Sequence, residues 1–130
     1  MSPGLTLVIV SLTLFQVKHL ICDYVLQTPY MYLNKGTYFH PGGLAHAGIH
    51  AVGSVLPVLV LTQTPWLLAA VIGAEFIVHY HVDWLKEQIT KRRGLTHGHA
   101  LFWAIFGADQ FIHQMTYVVI VAFLARETGL

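Results

Sequence analysis

The chain has 130 residues, of which 55% are hydrophobic and 10% charged, with a formal net charge of +1. A soluble domain carries about 25% charged residues, so with a mean hydropathy of +0.61 the composition places the chain in the membrane class. The near-neutral charge leaves no basic footprint for nucleic acid. The single cysteine, Cys22, excludes an internal disulfide and a thiolate-rich zinc site.

The first predicted helix runs from about Leu5 to Leu26. Its apolar start lacks a basic n-region and a small-x-small cleavage site, so it reads as a retained transmembrane helix rather than a signal peptide. Thr28-Pro29 ends it, because proline lacks a backbone donor and restrains the residue before it. Residues 27–43 read as the longest loop, and their tyrosines (Tyr30, Tyr32, Tyr38) suit a membrane interface. A second helix runs from about Leu44 to Leu61, with a kink expected at Pro57. The third runs from about Trp66 to Thr90 and ends in the polar Lys86, Glu87 and Gln88. Lys91-Arg92-Arg93-Gly94 breaks it, and the fourth runs from about His99 to Ala125. Each approaches the ~20 residues that cross a hydrocarbon core. The expected fold is a single all-α domain over 1–130, a four-helix transmembrane bundle.

Lysine and arginine concentrate in 86–98, with Lys35 in 27–43 and Arg126 alone on the other side. The positive-inside rule then places both loops in the cytoplasm. The Lys91-Arg92-Arg93 run is a topology signal first and an anionic-lipid contact second.

Each helix carries one pair of metal-type ligands four residues apart: His19/Asp23, His46/His50, His79/Asp83 and Asp109/His113. Residues i and i+4 share a helix face. Titratable groups in an apolar helix are costly unless paired, hydrated or bound to a cation. The topology puts the first three pairs near the cytoplasmic ends of their helices and the fourth somewhat deeper, so all can meet in one layer. Imidazole and carboxylate together suit divalent zinc, iron or manganese, with zinc ranked first. Eight ligands suit two such metal ions.

Glu75 lies one turn before His79, and Lys18 neighbours His19. Both are candidate catalytic residues, placed to orient ligands or act on a metal-bound water. Gln27, Gln110 and Gln114 extend the polar stripe. His81, about 200° around the helix from His79, is expected to face away. His97 and His99 are expected at the interface, and His40 in solvent. Cys22 is expected to pack.

The segments KHLICDYVLQ (18–27), HAGIH (46–50), HYHVDWLK (79–86) and DQFIHQ (109–114) resemble the DUF3307 family of small bacterial and phage membrane proteins of unknown function. The resemblance covers most of the chain. It implies a location in the bacterial inner membrane and gives most of its support to the eight His/Asp positions. A more distant similarity, through the H-x-x-x-D pairs, links it to membrane-bound proteins labelled metal-dependent hydrolases. The leading expectation is therefore a metal-dependent hydrolase of a lipid or lipid-linked, anionic substrate. A di-iron lipid oxygenase is one alternative. A non-enzymatic, metal-stabilised subunit of a membrane complex or homo-oligomer, or an ion transporter, is another.

Overall fold

A computed structural model describes residues 2–130, which are helical throughout apart from short connections. Helix α1 spans Pro3–Ile21 and continues into a π-helical turn, Cys22–Leu26. A short α2 (Pro29–Asn34) precedes α3 (Pro41–Gly53) and α4 (Val55–Leu59). The two long helices are α5 (Pro65–Arg92) and α6 (Ala100–Thr128). Four helical segments are long and apolar enough to cross a bilayer: Pro3–Leu26, Pro41–Leu59, Pro65–Arg92 and Ala100–Thr128. They indicate a multi-pass membrane protein.

Local sequence explains the boundaries. Proline opens α1, α2, α3 and α5 at a position where a missing N–H costs nothing. The side chains of Ser2, Thr28 and His40 accept hydrogen bonds from Leu5 N, Met31 N and Gly42 N, capping three of these starts. Helix α6 stops at Gly129, whose φ of 73° is the left-handed conformation glycine adopts freely. Pro57 cannot donate to the carbonyl four residues earlier, and the helix breaks at Ser54, between α3 and α4. Ser11 Oγ donates to Pro57 O at 2.8 Å and ties α1 to the kinked segment.

Two departures from the expected elements occur in 27–43. The second transmembrane helix begins at Pro41 rather than Leu44, and residues 29–34 form α2 instead of loop. Helix α2 packs on α3 at a close approach: a Cβ on Gly42 would lie 2.5 Å from Tyr30 O. Gly42→Ala is therefore expected to lower stability in detergent by about 1–3 kcal/mol. Gly48→Ala, whose added Cβ meets nothing within 4 Å, should leave it unchanged or raise it. Thermal unfolding followed by circular dichroism compares the two.

The bundle is inverted relative to a soluble one. Val25, Val52, Leu33 and Trp66 are exposed, whereas histidines and carboxylates are buried. An apolar cluster of Phe15, Val58, Leu61, Leu67, Val71, Tyr117, Ile120, Val121 and Leu124 fills one part of the interior. Phe15 stacks on Tyr117 at 4.8 Å between ring centres. The polar layer begins beyond Tyr117, whose hydroxyl lies 2.8 Å from His19 Nδ1.

Candidate metal centre

The i,i+4 spacing brings both members of each pair to the bundle interior, and the four helices bring the pairs together. His19, His46, His50, His79, Asp83, Asp109 and His113 are buried, and Asp23 is nearly so. Asp23 sits at the start of the π turn. Such single wide turns are frequent at functional sites because they re-aim a side chain within a continuous helix.

Two carboxylates organise the layer. Asp23 Oδ1 lies 3.1 Å from His50 Nε2 and 3.3 Å from His46 Nε2, while Oδ2 lies 3.1 Å from His19 Nε2. Asp83 Oδ2 lies 3.2 Å from His46 Nε2 and 3.6 Å from His79 Nε2, and Oδ1 lies 3.7 Å from His113 Nε2. Asp109 Oδ1 is 3.6 Å from His113 Nε2. The imidazoles pack face to face, His50 on His79 at 3.8 Å and His79 on His113 at 4.1 Å. Asp109 and His113 thus join the other pairs in one cluster.

Two subsets could each hold a metal ion: Asp23, His46, His50 and His79, and His79, Asp83 and His113. His79 belongs to both. Ligand atoms on the edges of a tetrahedron with bonds of 2.0–2.1 Å are about 3.3 Å apart. His46 Nε2 and His79 Nε2 are 3.3 Å apart, matching such an edge. The donor set also fits an ion on a second count. His113 Nε2 and Asp109 Oδ1 are buried 3.6 Å apart, and neither has a hydrogen-bond partner among the described residues. That separation is too long for a hydrogen bond and suits two ligands of a common ion. Mixed imidazole and carboxylate ligation favours a divalent metal of the zinc, iron or manganese kind.

Further groups surround the eight. His19 Nδ1 is partnered through Tyr117, whereas Nδ1 of His46, His50 and His79 has no partner among the described residues. Gln110 spans the layer: its Oε1 lies 3.1 Å from His19 Nε2, and its Nε2 donates to Asp109 Oδ2 at 3.2 Å. Lys35 Nζ lies 3.0 Å from Asp83 Oδ2, with both side chains buried. Lys35 looked from the sequence like a loop charge. It reaches the centre because α2 folds the loop back onto α3 and α5. Tyr117 continues the helical step from Asp109 through His113, the one sequence signal for its place beside His19.

Lys18 and Glu75 come together with each other rather than in the layer. They form a buried ion pair, and Lys18 Nζ also donates to His50 O at 3.1 Å. Lys18 links three helices from behind His50. Glu75 Oε2 has no partner among the described residues, and Glu75 lines a lateral groove between α5 and α6 rather than the cavity above the carboxylates. The remaining polar groups lie outside. His81 is exposed, 3.1 Å from the Tyr38 hydroxyl, and His40 caps α3. His99 accepts from Thr96 N. Cys22 Sγ packs 3.6 Å from Ile49 O. Gln27 Nε2 donates to Asp23 O, and the buried Gln114 Oε1 is without a partner among the described residues.

A cavity of about 490 Å³ opens above the layer. Asp23, Asp83 and Asp109 contribute to its lining, as do Lys35, Lys86 and Lys91. His97 lines it too, in keeping with an entrance position. Phe102 and Phe106 of α6 supply an apolar wall.

The molecule is thus an all-helical, multi-pass membrane protein whose buried His/Asp cluster could hold a metal ion. Residues 11–129 match the DUF3307 family, described as a protein of unknown function. The chain belongs to that family. Comparison with curated proteins and with solved structures found no match.

Proposed function

We propose that this protein is a metal-dependent hydrolase of a lipid or lipid-linked substrate, with a dinuclear centre facing the cytoplasmic side of a bacterial inner membrane. The observation that carries the reading is the meeting of five imidazoles and three carboxylates at the base of a cavity with both cationic and apolar walls. The lysine and arginine asymmetry supports the cytoplasmic placement.

Asp23, His46, His50 and His79 would hold one ion, and His79, Asp83 and His113, with Asp109 nearby, the other. Bound divalent metal supplies an acidified water as nucleophile and stabilises negative charge developing on the substrate. The chain's own residues do the rest. Gln110 bridges Asp23 of the first subset and Asp109 beside the second, and would fix their orientation. Lys35 adds a cation at the cavity floor. Phe102 and Phe106 give an amphiphile an apolar wall to lie against.

The test is hydrolysis of a panel of lipid esters and phosphoesters by detergent-purified protein, with and without chelator. Metal-dependent turnover of at least one lipid is expected. Asp83→Ala should lower that turnover by at least a hundredfold and lose metal with it. Turnover unaffected by chelation, or an active Asp83→Ala variant, contradicts the proposal.

A further inference from the structure

We infer that the cavity above the cluster takes a phosphate monoester, and that Lys35 is the residue that selects it. This inference rests on the metal-centre reading and specifies its substrate class. Charge is the first argument. Asp23, Asp83 and Asp109 place three carboxylates at the cavity floor, and Lys35 is the cation in direct contact with one of them. With neutral imidazoles that floor carries two negative charges. Two divalent ions convert it to two positive charges, the complement of a phosphate monoester dianion. A neutral carboxylic ester gains nothing from that balance.

Geometry is the second argument. Lys35 is 6% exposed, yet it sits on the segment just after α2 and lines the cavity. A lysine is costly to bury without an anion to meet. Its 3.0 Å contact is with Asp83 Oδ2, an oxygen that also faces His46 and His79. When Asp83 ligates a metal, its charge is shared with the ion, and the ammonium is left at the edge of the centre for a substrate oxygen. Lys86, Lys91 and Glu87 line the same cavity; Lys86 lies 3.4 Å from Glu87, and Lys91 adds a further cation that would draw anions toward it. Leu33, Phe102 and Phe106 share the lining, so the alcohol part of the ester is apolar and the ligand is an amphiphile.

The reaction balances without a further co-reactant. Water's oxygen forms a new bond to phosphorus, and the ester P–O bond breaks. The departing oxygen takes a proton derived from that water, releasing a lipid alcohol and inorganic phosphate. Lys35 holds a non-bridging phosphate oxygen throughout.

The experiment measures metal content and ligand binding separately, on the full chain in detergent. The probes are inorganic phosphate and a short-chain phosphatidic acid, each titrated into metal-loaded protein by calorimetry. Wild type is expected to bind both, and the lipid phosphate at least tenfold more tightly. Lys35→Met should keep its metal and weaken both probes by at least tenfold, and Lys35→Arg should recover much of the loss. Metal-loaded Lys35→Met with unchanged phosphate affinity overturns the inference and leaves the metal centre standing. Equal affinity for the two probes overturns the amphiphile assignment. A wild type that takes up no metal overturns the inference together with the reading beneath it.

Discussion

His79→Ala is expected to remove both metals, whereas His50→Ala or Asp109→Ala should remove only one. His79 is the ligand shared by the two subsets, and its ring is stacked between those of His50 and His113. Its loss takes a ligand from each position and the packing surface from both neighbours. With both positions short of a ligand, the expected metal content falls to near zero rather than to half. His81→Ala is the matched control: it lies two residues away, is exposed, and contacts Tyr38 instead of the centre. Metal per protein for the four variants, measured on the same preparation scale, checks the ordering. Equal losses in His79→Ala and His50→Ala would contradict the shared position.

Breaking the Lys18–Glu75 pair should produce the largest loss of stability in the chain. Both side chains are buried, at 8% and 1% exposure. Removing one partner of such a pair costs about 3–5 kcal/mol, because the other charge stays buried and uncompensated. Lys18→Met also deprives His50 O of a donor, although Ser54 Oγ still reaches it at 3.1 Å. The double variant Lys18→Met/Glu75→Met removes both charges and should recover most of the loss. Thermal midpoints of the two single variants and the double variant in one detergent form the cycle. A double variant as unstable as the worse single one would show that Lys18 acts through His50 O rather than through Glu75.

Much of this arrangement is legible in the sequence because apolar helices make polar residues conspicuous. Each His/Asp pair stands out against Leu, Val and Ile, and the i,i+4 spacing fixes the face it occupies. The expected break at Pro57 follows from one missing donor and appears as the interruption at Ser54. The orientation of His81 away from the stripe also follows from helical rotation alone.

The parts that were not legible depend on contacts distant in the chain. Tyrosines near a membrane boundary suited a loop, although Thr28-Pro29 also carries the cap-and-N1 signal that starts α2. Lys35 reads in the sequence as a topology charge because nothing local says that α2 folds it onto Asp83. Lys18 and Glu75 are 57 residues apart; the sequence marks each as a group beside the ligands, but their pairing with each other behind His50 is a tertiary contact that no local pattern shows. Tyr117 was hidden by chemistry rather than distance: as an aromatic in an apolar helix it looked like core, and half of it is, stacked on Phe15.

The central claim is that the buried His/Asp cluster, through the two subsets that share His79, forms a metal centre. Elemental analysis of the purified full chain, expressed without added metal and washed free of loosely bound ions, tests it most directly. The account predicts two equivalents of a divalent transition metal or zinc per chain, lost on mutation of His79. A protein that is folded, monodisperse and free of such metal, and that takes up none when zinc, iron(II) or manganese is supplied, would contradict it.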